Sequence, residues 1–463
     1  MEVLVGFSWM VMGSIFFFLL AVKWNGIRYR RKGLPLGTMG WPFFGQTSEF
    51  IKQGPEFMKK QRERYGSVFK SHILGTPTVI SMDPELNRYI FLNESKGLIP
   101  GYPQSMLDVL GHLNIAAVSG TAHKHMRSNM LSLVGTPLIK DRLLPRLDKY
   151  MRIHVSNWDG LVVDIQEKTM DMALMIAFKQ IAEAESSSIY EDFKSEFEKL
   201  FAGSLSLPIY LPGTKYYQGI QGRKNVIKML IDIMEKRRDS KAVYDDILEY
   251  LLRDMDGKLN QDEVIDQIIT ILYSGFETVS TTSMMAVKYL HDHPRALQEL
   301  RDEHFEIRKG KTSAEEPLDW EDIKSMKFTR GVIYEALRLA TVINGVLRKT
   351  TKDMTLNGFV IPKGWRIYVY TREINYDPFL YPEPFEFNPW RWMDKSLESH
   401  NYCFLFGGGG RLCPGKELGI VKVSTFLHYF VTTYRWKEVG GEKILQFPRV
   451  EAPNGYHIWV TNL

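Results

Sequence analysis

The chain has 463 residues, 44% of them hydrophobic, with a formal charge of +5 and only two cysteines. Length alone sets a prior of about three domains, but no internal repeat and no long Gly/Ser linker divides the sequence. Cys403 and Cys413 lie in one loop region, which excludes a disulfide framework and favours a reducing compartment. The modest positive charge suits an acidic partner or a membrane surface, and no nucleic-acid-binding module is present.

In chain order, Val3 to Val22 is almost wholly apolar and reaches about the 20 residues that span a bilayer as a helix. Lys23, Arg28, Arg30, Arg31 and Lys32 follow, so the positive-inside rule puts the remainder in the cytosol. Residues 1–23 are therefore expected to be a transmembrane anchor. A cleaved signal peptide is the competing reading, but a basic n-region and a small-x-small site are both lacking. Residues 24–45 read as a basic, Pro/Gly-rich linker: Leu34-Pro35-Leu36-Gly37 and Gly40-Trp41-Pro42 let no helix continue. Residues 46–463 then form the main domain.

Gly66 to Asp83 carries two β-prone runs around Gly75-Thr76-Pro77, a hairpin signal. Most of the chain from there to Arg338 has apolar residues at helical spacing. His123 and Arg127 are one turn apart on a predicted helix, so both donors share a face; they suit the carboxylates of a cofactor or an ordinary basic surface helix equally well. Ser206 to Thr214 is a proline-broken loop between helices.

Asp262 to His293 is the longest helical pattern, and its centre, Ser274-Gly275-Phe276-Glu277-Thr278, is unusual. Gly275 costs about 1 kcal/mol in a helix interior, and Glu277 is a carboxylate in an apolar-to-neutral run that needs a partner or a proton. Gly275 clears the face that Thr278 shares, so the helix is expected to widen locally. The Thr278 hydroxyl would then turn toward a ligand or water instead of its own i−4 carbonyl. A Ser/Thr-rich helix packed in a core is the competing reading.

Glu335 and Arg338 lie on one helix face among apolar neighbours, which favours a buried pair. Val342 to Arg348 is a short apolar run ending in a cation. Asn357-Gly358 between β-prone runs signals a hairpin, and Glu451 to Tyr456 reads as a turn between strands.

The stretch Phe406-Gly407-Gly408-Gly409-Gly410-Arg411-Leu412-Cys413-Pro414-Gly415 carries the chemistry. Glycines let backbone pack flat against a planar group, and Arg411 suits an anion on it. Cys413 precedes a predicted helix, whose dipole and free N–H groups are expected to hold its sulfur as an anion. Together these point to haem with a cysteinate axial ligand; a flexible glycine loop with an incidental cysteine is the alternative.

The spacing of Phe406, Gly409, Arg411, Cys413 and Gly415 resembles the haem-binding signature of the cytochrome P-450 family. Gly275, Glu277 and Thr278 resemble its [A/G]-G-x-[D/E]-T motif, with Ser274 departing at the first position. Glu335 and Arg338 match its E-x-x-R, and Phe387, Pro389, Arg391 and Trp392 its F-x-P-x-R-W. The resemblance covers almost the whole chain. It implies a mainly α fold with small β-sheets (α+β), a triangular helical prism around haem b behind a single transmembrane helix. It implies Cys413 as the iron ligand, with Arg127, Arg348 and, less typically, His123 on the haem carboxylates. Thr278 and Glu277 would deliver protons, while Glu335, Arg338 and Arg391 would form a structural charge network. Ser274, Gly275, Val342, Gly345, Val346 and Asn454 would line the substrate pocket, under a roof at Ser206 to Thr214.

Stretches such as KGLIPGYPQSMLDVLG, NGVLRKTT and FPRVEAPNG look like the plant brassinosteroid carbon-six oxidases. That likeness implies a steroid substrate, O2 and a membrane-bound NADPH–cytochrome P-450 reductase, in a monomer at the endoplasmic reticulum with its catalytic domain cytosolic. A basic face around Lys124, Lys416 and Lys422 would meet the reductase. The rival readings are an oxidase of another plant terpenoid (a gibberellin precursor or abscisic acid), an oxygen-independent haem-thiolate isomerase or dehydratase, and a non-catalytic haem sensor. Glu277-Thr278 argues against the isomerase.

Overall fold

In the computed structural model of the chain, the longest helix, Gln261–Asp292, begins where sequence chemistry allows it to. The Asn260 side chain accepts from the Glu263 N–H at 2.9 Å, and Glu263 returns a carboxylate to the Asn260 N–H at 2.9 Å. This reciprocal cap satisfies two of the N–H groups that a helix start leaves unpaired. The structure describes all residues except 1–8, 10–11, 17, 19–22, 43, 183–186, 241–243, 245, 256–258, 314 and 442. The anchor expected at Val3 to Val22 falls largely outside the described residues, and among those described no helix is long and apolar enough to cross a membrane.

The described residues form two compact units, Met1–Gly101 with Asn344–Ile374, and Tyr102–Ile343 with Asn375–Leu463. The first is built on a five-stranded sheet, in spatial order Val68–Ile73, Thr76–Ser81, Arg366–Tyr370, Gly345–Thr350 and Leu98–Pro100. The expected hairpin is present, pairing Val68 with Ser81 and Ile73 with Thr76. Its turn lies one residue earlier than the sequence signal, at Leu74 and Gly75, both with positive φ. Pro77 stands just before the parallel pairing with Arg366–Tyr370, which starts at Thr78, so its missing N–H costs no ladder bond. The Asn357-Gly358 hairpin also forms, again with two positive φ values as a tight primed turn requires. The Pro/Gly-rich connector docks on this sheet: the Lys70 N–H donates to the Leu36 carbonyl at 2.9 Å. A side chain at Gly37 would fall 2.0 Å from the Lys70 carbonyl, so only glycine fits there.

The second unit is mainly helical. Its helices include Gly120–Leu133, Ile165–Ile181, Ser187–Ser204, Lys215–Asp239, Lys327–Ala340 and Lys416–Thr433. A three-stranded sheet has His457–Asn462 in the middle, between Val162–Asp164 and Tyr434–Glu438. Two apolar clusters form the core, and the long helix runs through both. Val264, Ile268, Leu272 and Phe276 belong to one; Val279, Met284, Val287 and Leu290 belong to the other. The buried polar residues of this helix include Thr270, Ser280 and Thr282, whose hydroxyls are satisfied by carbonyls of the same helix. Ser187–Ser204 and Lys215–Asp239 cross closely: a Cβ on Gly203 would lie 2.7 Å from the Gly219 Cα, and the reverse holds too.

Candidate active site

The glycine run folds as the sequence chemistry suggests. Gly407 and Gly409 have φ of +77° and +62°, and Gly409–Arg411 makes one tight 3-10 turn. The Cys413 N–H donates to the Phe406 carbonyl at 2.9 Å, closing the loop on itself. The Phe406 ring packs edge-on to Tyr334 of the Lys327–Ala340 helix, 5.6 Å between centroids, and so anchors the loop to the core. Behind it, Arg330 pairs with Glu398 at 2.8 Å and Glu417 at 3.1 Å, and Lys416 pairs with Glu398 at 2.9 Å. Burial alone would raise the Glu398 carboxyl, but Arg330 and Lys416 hold it down at about 2. This charged buckle at the start of the Lys416–Thr433 helix was not foreseen; its acids and bases come from three separate segments.

Cys413 keeps an exposed edge. Its thiol is nevertheless raised above the ordinary value: burial dominates, and the Gly415 N–H, Arg127 and Lys416 oppose it. The Gly415 N–H, at the cap of the following helix, favours the anion as the sequence leads one to expect, but burial opposes it. The helix begins only at Lys416, and removing the sulfur from water outweighs the N–H groups. Cys403 is half-buried against the core, and its thiol is raised chiefly by burial; both cysteines are free.

Two arginines close on this loop. Arg127 donates to the Leu412 carbonyl at 2.7 Å, one residue from Cys413. Arg411 donates to the carbonyls of Ile115, at 2.8 Å, and Val118. His123 is buried on the same helix as Arg127, beside Met126 and Met130. Arg348 belongs to the first unit, where its side chain is buried and its Nε pairs with Glu94 at 3.2 Å.

The long helix departs from expectation at its centre. It is α-helical throughout Gln261–Asp292, with no local widening. The Thr278 hydroxyl donates to the Ser274 carbonyl at 2.8 Å, its own i−4 group, rather than turning away from it. It belongs to a stripe: Thr270 donates to the Asp266 carbonyl, Ser274 to Thr270, and Thr282 to Thr278. A helical threonine has this acceptor always within reach, and the stripe uses it at every turn. A Cβ on Gly275 would lie 3.9 Å from both the Ala177 Cβ and the Lys422 Nζ, an ordinary contact. Glu277 does have a partner: its Oε1 accepts from Arg449 Nε at 2.8 Å.

Of the expected pocket residues, Ser274 is exposed, Gly275 and Val342 are half-buried, and Asn454 is exposed at its turn. Gly345 and Val346 are half-buried strand residues of the first unit. Leu207, Ile209, Tyr210 and Leu211 in the expected roof are exposed. The basic face needs correction. Lys124 is exposed, but Lys416 is engaged with Glu398, and Lys422 is buried with 4% of its surface accessible. Burial lowers the Lys422 ammonium to about 8. Its neighbours Gly419 to Val431 are apolar almost all round, the pattern of a helix sunk in a core, so its burial was readable.

A cysteine in a glycine loop, braced from behind by charge pairs, in a unit whose longest helix carries a Ser/Thr stripe with Glu277 at its centre, points to a haem-thiolate class of protein. The chain belongs to the cytochrome P450 family, whose description matches residues 35–454. It is 61% identical over 451 residues to Cytochrome P450 85A1 of Solanum lycopersicum, covering 97% of each chain. It is 34% identical to the 3-epi-6-deoxocathasterone 23-monooxygenase CYP90D1 of Arabidopsis thaliana, covering 93% of this chain and 90% of that one. Among solved structures it resembles a retinoic acid-bound cyanobacterial CYP120A1, with TM-score 0.84 and 25% identity over 93% of this chain and 99% of the other. The chain is thus an oxidoreductase of the P450 monooxygenase family with the P450 fold, and its cofactor is haem with a cysteine thiolate on iron.

The residues present fit that cofactor. A side chain on Gly410 or Gly415 would meet nothing within 4 Å, so the loop keeps an open edge beside Cys413 for a broad planar group. Arg127, held at Leu412, places a cation at that edge, of the charge that would suit a carboxylate of the group.

Proposed function

We propose that Cys413 is the thiolate ligand and that the enzyme oxidises carbon six of a 6-deoxo brassinosteroid, first to the alcohol and then to the ketone. The observation that carries the substrate reading is likeness along the whole chain: 61% identity to a P450 85A1 over 97% of both chains. A more distant relative is itself named for acting on a 6-deoxo steroid. Bound haem supplies the oxygen activation, to which cysteinate lends electron density.

The chain's own residues do the rest. The Phe406 to Gly415 loop holds the sulfur, and Arg127, Arg411 and His123 serve the haem edge, with Arg348 as a further cation for a carboxylate. Thr278 exchanges its Ser274 carbonyl for a water and, with Glu277, passes protons to the reacting oxygen. Ser274, Gly275, Val342, Gly345, Val346 and Asn454 contact the steroid. Electrons come from an NADPH–cytochrome P-450 reductase at a membrane to which the N-terminal segment anchors the chain, in the endoplasmic reticulum. The exposed Leu207 to Leu211 segment gives a lipophilic substrate an apolar approach.

The test is turnover of 6-deoxocastasterone in reductase-containing microsomes, with product mass as the readout. Products one oxygen heavier, then two hydrogens lighter, are expected. No turnover of this steroid, with turnover of a gibberellin precursor or abscisic acid, would replace the substrate reading. Cys413→Ala should abolish the red-shifted reduced-CO absorbance band while Cys403→Ala retains it.

A further inference from the structure

We propose that Arg449 is the positioning residue for Glu277, and that it ties the acid's orientation to the end of the Ser187–Ser204 helix. This rests on the reading of Glu277 as a proton-delivery group.

The inference starts from how fully one guanidinium is used. Arg449 lies in a short loop closed by paired backbone bonds between Leu445 and Glu451, of 2.8 and 3.0 Å. Its side chain is 13% exposed. Nε donates to Glu277 Oε1 at 2.8 Å. Nη2 donates to the Ser204 hydroxyl at 2.7 Å, the Tyr273 hydroxyl at 2.9 Å and the Phe201 carbonyl at 3.3 Å. The guanidinium carbon stands 3.8 Å over the Phe201 ring, a cation–π contact. The Tyr273 and Ser204 hydroxyls also bond each other at 3.0 Å. One residue from the C-terminal region thus joins two helices that are neighbours in space, and Arg449 is the only side-chain partner of the Glu277 carboxylate among the described residues.

The geometry divides the labour. The Nε edge fixes one carboxylate oxygen, and Nη2 is shared between Phe201 and Ser204 at the Ser187–Ser204 helix end and Tyr273 of the long helix. Among the described residues Glu277 Oε2 has no hydrogen-bond partner, and the side chain is 19% exposed, so this oxygen is open to water. Arginine keeps its charge at every working pH, so it orients the carboxylate without competing for the proton. When Glu277 gives up a proton, solvent returns one, and Arg449 stays a spectator in the balance. Lysine has a single point charge with no rigid fork and cannot hold both edges at once. Ser204 immediately precedes the exposed apolar segment Leu205 to Leu211, so displacement of that helix end withdraws the Ser204 and Phe201 acceptors, leaves Tyr273, and lets the guanidinium and the acid turn.

The test uses the full-length holoenzyme with reductase and the steroid, in Arg449→Gln, Arg449→Lys, Glu277→Gln and the double variant Arg449→Gln/Glu277→Gln. Readouts are product per NADPH, peroxide released, the solvent isotope effect, the reduced-CO band, and the substrate-induced spectral Kd. Arg449→Gln should lower product per NADPH about tenfold, less than the roughly 100- to 10,000-fold that a positioned proton-transfer group contributes, because the acid is misplaced and not removed, and raise peroxide correspondingly. Its CO band and spectral Kd should stay unchanged. Arg449→Lys should recover only part of the coupling, and the double variant should be no worse than Glu277→Gln alone. Losses that multiply in the double variant, or full coupling in Arg449→Gln beside an uncoupled Glu277→Gln, would overturn the role of Arg449 and leave that of Glu277 standing. Normal coupling in Glu277→Gln would overturn both. If Arg449→Gln loses the CO band, the decision passes to Arg449→Lys: an intact band with normal coupling and isotope effect overturns the proposal.

Discussion

Two acid–arginine clusters serve this fold, and they are built in opposite ways. In the first, Glu335 and Arg338 are both fully buried and doubly bonded, at 2.7 and 2.9 Å. Arg338 spends its remaining donors on the carbonyls of Asn375, Pro384 and Glu386. Glu335 also receives Arg391, the Trp392 indole N–H and the Asn388 N–H. In the second, Glu277 and Arg449 are 19% and 13% exposed, and among the described residues one carboxylate oxygen has no hydrogen-bond partner. A buried charge with every valence filled has one arrangement and serves as scaffold. A charge pair at the edge of water, with a valence to spare, can change partners, which a proton-delivery group must do.

The largest effect should come from opening the closed cluster. Arg338→Leu takes the doubly bonded guanidinium from Glu335, leaving it Arg391 and two neutral donors, and should cost about 3–5 kcal/mol, read as loss of folded, haem-loaded protein in the reduced-CO spectrum.

Next is acid. His304 and His428 are buried where the helices Pro294–Lys309 and Lys416–Thr433 pack together, with Nδ1 atoms 3.1 Å apart. Burial and the nearby Arg308 charge push His304 down to about 3. Burial, the His304 ring and the surrounding Arg308, Lys311 and Arg152 push His428 to about 2. Both are neutral in the folded state and near 6.5 when unfolded, so below that value the unfolded chain binds more protons. Stability is full above about pH 6.5, falls as pH drops, and should be lower by about 2 kcal/mol per histidine at pH 5. Replacing both with Gln should flatten that limb in denaturant titrations.

Lys422 sharpens the contrast as a buried charge with no cluster at all. Its ammonium falls from an ordinary 10.5 to about 8, a penalty that is full below pH 8 and relieved as pH rises toward 10.5. Lys422→Met should therefore stabilise the protein by about 1–3 kcal/mol at pH 7, seen as a higher midpoint that gains less at pH 10. The smallest change should come from Glu277→Gln, under about 1 kcal/mol in stability because the pair is part-solvated. A loss as large as that of Arg338→Leu would erase the distinction between the clusters.

Much of the closed cluster was legible. Glu335 and Arg338 sit one turn apart among apolar residues, and Arg391 and Trp392 fall in a recognisable string. The glycine loop was legible for the same reason, since its chemistry is local. Arg449 was not: its bond to Glu277 spans 172 positions, and nothing in FPRVEAPNG marks which acid the arginine meets. The union of Gly345–Thr350 and Arg366–Tyr370 with strands from the first hundred residues escaped for the same reason, because strand alternation names a face and not a partner. Thr278 failed differently. The motif predicted the residue, but the rotamer of a hydroxyl is set by the nearest acceptor, and in a regular helix that acceptor is always the carbonyl one turn back.

The bond from Arg127 to the Leu412 carbonyl bridges 285 positions, and this sets an order of events during synthesis. At roughly 5–20 residues per second, the Gly120–Leu133 helix exists for about 15–60 s before Leu412 is made. Through that interval the helix that carries Arg127 has no Leu412 carbonyl to hold. The bond that ties this helix to the cysteine loop is therefore among the last to form, and a nascent chain stalled before the glycine loop lacks both Cys413 and that tie.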